Sequence, residues 1–161
     1  DINSDDHATT MDVIDEVIES YKSVNVHFDN LCCIYATAPL ILPGDLKKGL
    51  DRLISDDFNS AFPVTTFSYP VWRGFELSDN SRTKLIWPEY QNSRSQDLKE
   101  VYHDAGQWYW LNLKKSSNQI FTENSVSIVL SQNQVQDIDT LEDWKMAELK
   151  YEFLREGKNN Q

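Results

Sequence analysis

The sharpest chemical signal in the sequence is the string Val135-Gln136-Asp137-Ile138-Asp139-Thr140. Asp137 and Asp139 stand at i and i+2, and on an extended segment two such carboxylates point the same way. They are then close enough to share one hard divalent cation, with water and phosphate oxygens in the remaining positions. A plainer reading competes with this one. Asp139 stands just ahead of a helix and can simply complement its dipole. An Asp-x-Asp pair by itself does not choose between them.

A second constellation lies upstream. Asn92-Ser93-Arg94-Ser95-Gln96-Asp97-Leu98 and Tyr102-His103-Asp104-Ala105-Gly106-Gln107 crowd polar side chains between two strand-like segments, where loops tend to carry binding groups. Arg94 is able to clamp a carboxylate with two prongs. The alternative is a solvated loop in which Arg94 pairs with Asp97. Arg73 and Arg82 could also meet an anion, although Arg82 reads as a surface residue. His7, His27 and His103 do not form a ligand cluster, and His103 is either a general base or a structural histidine. Cys32 and Cys33 are adjacent and read as small core residues. Gly44 and Gly49 have the outer spacing of a phosphate loop, but Leu50 and Asp51 follow where Lys and Ser or Thr are needed. These two glycines fit a helix start and a close helix contact instead.

These groups need elements to hold them. Ile14, Val17, Ile18 and Tyr21 recur at helical spacing over about residues 10–22, and Thr9 with Asp12 resembles a capping box. Leu31 to Tyr35 reads as a fully buried strand, as in a parallel sheet. A second helix starts near Pro43 with Leu46, Leu50, Leu53 and Ile54 on one stripe, and Ala61 to Phe67 reads as a strand. Helix, strand, helix, strand is the rhythm of a parallel sheet covered by helices. The rhythm breaks at Val71–Leu77 and Thr83–Trp87, two strands around the turn signal Ser78-Asp79-Asn80-Ser81. That aromatic arm either covers its own core or meets another subunit. Gln107–Leu111 and Val126–Leu130 are strand-like. A last helix opens at Thr140, with Asp143 as its capping partner and Trp144, Ala147, Tyr151 and Leu154 as its buried stripe. The tail from Glu156 to Gln161 reads as frayed.

Composition narrows the classes. The 161 residues fit one domain, and 40% hydrophobic content with five Trp argues against disorder. A net charge of −11 argues against a nucleic-acid footprint, which needs a basic face, and against adhesion to an anionic membrane. No run approaches the roughly 18 apolar residues of a membrane span. Two neighbouring cysteines are no disulfide framework, so a reducing cytoplasm is the simplest compartment.

Four strings, in this order, carry a resemblance: Cys32-Cys33-Ile34-Tyr35-Ala36-Thr37-Ala38-Pro39, then Asn92 to Leu98, Tyr102 to Gln107, and Gln136-Asp137-Ile138-Asp139-Thr140. Together they resemble the CMP-sialic acid synthetase family of cytidylyltransferases, over about residues 4–155. Tyr-Ala-Thr-Ala-Pro and Tyr-His-Asp-Ala-Gly-Gln favour its pseudaminate branch, whereas sialate and Kdo members usually carry Gln-Pro-Thr-Ser-Pro at the former position. The resemblance implies an α/β fold of the nucleotide-diphospho-sugar transferase type: a mainly parallel sheet covered by helices, with an antiparallel hairpin arm, in one domain over residues 1–161. It implies that CTP and a nine-carbon 2-keto sugar acid give a CMP-sugar and pyrophosphate, by in-line attack of the anomeric hydroxyl on the α-phosphorus. Asp137 and Asp139 inherit the role of magnesium ligands. Tyr35, Thr37, Arg73, Arg94, Gln96, Asp104 and Gln107 line up with segments around the sugar pocket. The arm, residues 67–94, corresponds to a hairpin through which family members form homodimers.

One part of the pattern is missing. The family opens with a strand and a basic Ala-Arg-Gly-Gly-Ser-Lys-type loop that holds the nucleotide, and neither occurs here. The sequence is therefore expected to be the carboxy-terminal part of such an enzyme, keeping the metal pair and much of the sugar side but not the CTP side. A raw sheet edge and apolar surface are expected where the first strands would lie. Pyrophosphate release from this chain alone, given CTP and pseudaminate, should be undetectable. The rival substrates are N-acetylneuraminate and legionaminate. The rival of another class is a non-catalytic module that binds sugar acids.

Overall fold

Thr9 and Asp12 form a reciprocal cap. The Asp12 N–H donates to Thr9 Oγ1 and the Thr9 N–H to Asp12 Oδ2 at 2.8 Å, so two amides that the helix cannot satisfy find partners. They open α1 (Thr10–Ser23), the first helix of a computed structural model that describes Asn3 and residues 8–115 and 119–159. His7 lies outside the described residues. The strands β1 (Asn30–Ile34), β2 (Ser60–Thr66), β5 (Tyr102–Asp104), β6 (Trp108–Asn112) and β7 (Ser125–Val129) build one five-stranded sheet. Two short strands, β3 (Phe75–Leu77) and β4 (Thr83–Leu85), form the separate hairpin. The remaining helices are α2 (Pro43–Ser55) and α3 (Leu141–Asn159).

The α/β class stands, while the mainly parallel pairing needs correction. β2 pairs in parallel with β7, but β6 inserts antiparallel between β1 and β2, and β5 pairs antiparallel with β2. β1, β2 and β7 still run in one direction, so their carboxyl ends share one edge. β1 is also half-buried rather than fully buried. It is the outermost strand of the sheet order, and Ile34 at its end is 52% exposed. Val17 and Tyr21 of α1 and the nearby Phe28 are likewise exposed.

Alternation along β6 sorts the two faces. Trp108 and Trp110 face α2, and the Trp110 indole N–H donates to the Leu46 carbonyl at 3.0 Å. Tyr109 and Leu111 face the other way. Leu111 shares a cavity of about 410 Å³ with Ile14 and Ile18 of α1. The helix α2 sits close because Gly49 has no side chain: a Cβ there would lie 2.5 Å from the fully buried Trp108 ring. The close helix contact expected of Gly49 is thus a contact with a strand. Both α1 and α2 stop through a left-handed residue that is not glycine, Asn25 (φ 60°) and Asp57 (φ 59°). The amide that follows each one reaches back to the Tyr21 or Leu53 carbonyl, which closes the helix end.

The hairpin forms around the expected turn, but its strands are only three residues each, with Val71–Arg73 a 3₁₀ turn instead of strand, and its aromatic residues pack on one another. Trp72 packs edge-on against Trp87, with ring centres 5.5 Å apart, and lies 5.4 Å from Tyr90. Phe75 and Leu77 on the arm stay exposed. The stripe expected of α3 is rotated about its axis. Trp144 and Tyr151 are exposed, and the residues turned inward are Asp143, Ala147, Lys150 and Leu154. The helix also continues to Asn159 instead of fraying at Glu156. No helix among the described residues is long and apolar enough to cross a membrane.

Gly49→Ala tests this packing. Ala is the better helix former, yet its methyl would enter the Trp108 ring. Overpacking of this kind costs about 1–3 kcal/mol, so urea unfolding should show a lower midpoint for the variant.

Candidate active site

A residue without a backbone N–H creates the site. Pro63 sits in the middle of β2, a central strand, where proline removes a ladder bond. The break is used. Up to Ala61 the partner on that side is Trp110 of β6, and from Val64 onward it is Asp104 of β5. The Pro63 carbonyl accepts from Ala105 N–H at 3.0 Å in the gap between them. The linking turn needs a positive φ at Gly106 (61°), which glycine adopts without strain. This turn, the ends of β1 and β2, and the segment after β7 enclose a cleft of about 490 Å³. It lies at the carboxyl ends of the three co-directional strands, where open α/β sheets bind ligands.

Four of the residues singled out in the sequence line this cleft: Tyr35, His103, Asp104 and Asp137. The Tyr35 hydroxyl hydrogen-bonds Thr10 Oγ1 at 2.7 Å, and its ring meets Tyr109 edge-on at 5.3 Å. Asp104 is held on both oxygens. Oδ1 accepts from the Gly106 N–H at 3.1 Å, and Oδ2 accepts from the Tyr109 hydroxyl. Burial, then the Asp104 carboxylate, pushes the Tyr109 phenol far above the ordinary tyrosine range. Gln107 is 2% exposed and sits beneath the site. Its amide donates to the Gln134 carbonyl, and its own carbonyl accepts from the Tyr35 N–H at 2.9 Å. Gln107 therefore ties the end of β1 to the turn that precedes the acidic pair.

The acidic pair is exposed on the segment between Val135 and Thr140. Asp137 lines the cleft, with Oδ1 accepting from the Ile138 N–H at 3.1 Å. Asp139 stands next to the cap of α3 and is not among the cleft residues; its N–H points to Asp143 Oδ2 at 3.3 Å. The cap itself is Asp143 with Thr140. The capping pair is thus the one expected from the sequence, and Asp139 stands beside the amino end of α3, where its charge complements the helix dipole. Bonds from Thr140 hold the Asp143 carboxyl below the usual range. Among the described residues no group of three or more His, Cys, Asp or Glu side chains is placed to hold a metal. Two hard carboxylates suit a cation that keeps most of its water and takes further oxygens from a substrate. The donor type suits magnesium, while of the two carboxylates expected to point the same way Asp137 alone lines the cleft.

The other sequence candidates lie elsewhere. Arg94 forms a two-pronged pair with Asp97, at 2.7 and 3.2 Å, on an exposed loop. This is the solvated alternative weighed from the sequence. Arg73 donates to Ser95 Oγ on that same loop. Gln96 borders a neighbouring groove, with Phe67 and Pro70. Thr37 is exposed on the turn after β1. Cys32 and Cys33 are free, and burial pushes the Cys32 thiol up to about 12, which leaves it inert as a nucleophile.

The sequence reading passed over Lys150 and Tyr109, and left His103 undecided. Lys150 lines the cleft and donates to the Val135 carbonyl at 2.6 Å and to Gln136 Oε1 at 2.9 Å. Its spacing of seven from Asp143 was the available signal, once the inward face of α3 is known. His103 Nδ1 lies 2.8 Å from the Asp104 carbonyl, and its ring packs on Phe67 at 4.8 Å. A carbonyl can only accept, so Nδ1 is assigned as the donor in this contact.

Alkaline spectrophotometric titration checks the Tyr109 environment. One phenol should ionise far above the ordinary value of 10.0, and Tyr109→Phe should remove that step. The proton is held more tightly in the folded state, so this contribution to stability is complete below pH 10 and declines as pH rises further.

Comparison with known proteins agrees with the strings read in the sequence. The chain is 37% identical over 156 residues to the pseudaminic acid cytidylyltransferase of Campylobacter jejuni subsp. jejuni serotype O:2, covering 96% of this chain and 67% of that protein. The same figures hold for its counterpart in serotype O:23/36. A Helicobacter pylori protein that joins a pseudaminic acid cytidylyltransferase to a UDP-2,4-diacetamido-2,4,6-trideoxy-beta-L-altropyranose hydrolase is 33% identical over 140 residues, 85% of this chain and 26% of that one. No protein-family model matches. Among solved structures, CMP:2-keto-3-deoxy-manno-octonic acid synthetase complexed with CTP aligns with a TM-score of 0.53 at 13% identity, over 94% of this chain and 70% of that one. At that identity the likeness speaks for the fold. Similarity on this scale, with Tyr35, Asp104 and Asp137 drawn into one cleft, places the chain in the pseudaminic acid cytidylyltransferase family.

Proposed function

We propose that the protein serves in transferring CMP from CTP to pseudaminic acid, with release of pyrophosphate. The observation that carries this is the 37% identity to two pseudaminic acid cytidylyltransferases across 96% of the chain. In the reaction the anomeric hydroxyl oxygen of the sugar bonds to the α-phosphorus. The bond from that phosphorus to the β-bridging oxygen breaks, pyrophosphate leaves, and the hydroxyl proton passes to water. Such transfers ask the protein mainly to position groups and neutralise charge.

The cleft supplies surfaces for both tasks. Tyr35, fixed by Thr10 and Gln107, forms one wall. Asp104, with both oxygens engaged, keeps the Gly106 turn in place. We assign Asp137 and Asp139 as the ligands of Mg²⁺, which when bound would neutralise phosphate charge and orient the oxygens around it. The exposed Phe75 and Leu77 of the arm support a homodimer formed through residues 67–94. The two free, neighbouring thiols accord with the cytoplasm.

The test is coupled detection of pyrophosphate from CTP, Mg²⁺ and a panel of pseudaminate, legionaminate, N-acetylneuraminate and 2-keto-3-deoxy-manno-octonate. The chain spans about two thirds of the length of its Campylobacter relatives, so the assay runs on this chain and on a polypeptide extended to their length. Turnover with pseudaminate at least tenfold above the other acids supports the assignment. Equal turnover of N-acetylneuraminate moves it to the sialate branch, and no turnover by the longer polypeptide removes it. Asp137→Asn and Asp139→Asn should each lower kcat by two orders of magnitude or more while thermal melting stays near that of the parent.

A further inference from the structure

The proposed Mg²⁺ ligands leave one group of the cleft without a role, its positive charge. Among the described residues lining the cleft, Lys150 is the one lysine or arginine, and it forms no ion pair. Its partners, the Val135 carbonyl and Gln136 Oε1, are both neutral acceptors. An ammonium has three donors, so one N–H remains. A partly buried charge with no counter-charge is costly to keep unless something compensates it, and desolvation accordingly lowers the affinity of Lys150 for its proton. The chain has not lacked nearby carboxylates. Asp104 and Asp137 line the same cleft, yet the first is occupied by Tyr109 and Gly106, and the second bonds the Ile138 amide.

Resting on the cytidylyltransferase reading of this cleft, we propose that Lys150 is a substrate-binding residue whose remaining N–H and charge receive an anionic oxygen of a bound substrate. Its bonds to Val135 and Gln136 hold the ammonium at the wall from which Asp137 projects, one residue further along the chain. Two substrate groups offer this chemistry: the carboxylate of the sugar acid and the triphosphate of CTP. A purely structural clamp would need donors at this position but no charge. That difference makes the two roles separable.

The experiment measures equilibrium binding by calorimetry on the full-length protein with two probe pairs, N-acetylneuraminate with its methyl ester and CTP with cytidine. The variants are Lys150→Gln, which keeps donors and loses charge, and Lys150→Arg, which keeps both. In the parent protein the charged member of one pair should bind at least tenfold more tightly than its neutral partner. Lys150→Gln should bring that ratio close to one, and Lys150→Arg should restore most of it. Collapse of the acid-to-ester ratio assigns the carboxylate, and collapse of the CTP-to-cytidine ratio assigns the triphosphate. Ratios unchanged in Lys150→Gln, or no charge preference in the parent, would overturn the proposal. Because a variant can fail to fold, the ¹³Cε resonance of Lys150 is followed in the parent as well. It should move with the charged probe and not the neutral one, and a stationary resonance counts against the site. Charge-dependent sugar-acid binding at Lys150 without affinity for either cytidine compound would retire the cytidylyltransferase reading and leave the anion site standing.

Discussion

The missing amide at Pro63 governs the architecture of the cleft. A central strand normally bonds along its whole length, and a proline there forces its neighbour to make way. In this chain the neighbour changes identity, from β6 below the proline to β5 above it. The chain that passes between those strands, Ala105 to Gln107, cannot run flat. It turns through Gly106 and leaves Asp104 and Tyr109 facing each other across the turn. The end of β1 is then joined to this turn by the bond from Tyr35 to Gln107. One absent hydrogen bond thus becomes the rim of a cleft at the carboxyl edge of the sheet.

Charge in the cleft is divided by how each group is satisfied. Asp104 is spent on structure, because a buried phenol and a backbone amide take its two oxygens. Asp143 is spent on the start of α3. Asp137 keeps an exposed carboxylate on the cleft, and Lys150 keeps an uncompensated ammonium. Carboxylate and ammonium at one wall, unpaired with each other among the described ion pairs, are the arrangement expected where a ligand brings charges of both signs. The groups engaged by neighbours make the frame, and the groups left over make the chemistry.

The helix boundaries were legible because caps are local. Thr9 with Asp12 and Thr140 with Asp143 are bonds between residues three apart, readable from one turn of sequence. The inward face of α3 was not. Trp144 and Tyr151 dominate any count of apolar residues, yet they face solvent, and Asp143 and Lys150 turn inward. Hydrophobic pattern finds the buried side of a helix only where that side meets an apolar surface, and α3 meets the polar segment between Gln134 and Asp137. The strand pairing was hidden for a similar reason. Residues 31–35 are apolar enough for a buried parallel strand, but nothing within the string tells that β6 will be its neighbour.

Apart from the three-residue β5 and the 3₁₀ turns, the sequence by itself determined the helices and strands, the caps that start two of the helices, the hairpin turn and the acidic pair on its short segment. Each depends on residues within a few positions of one another, where backbone geometry leaves few options. Tertiary structure alone decided which strands became neighbours, which of two aspartates reached the cleft wall, and that Lys150 would stand there. Those outcomes depend on contacts between residues well beyond one helical turn apart, such as Pro63 with Ala105 and Lys150 with Val135. Their energies are set by how faces fit once the chain has closed.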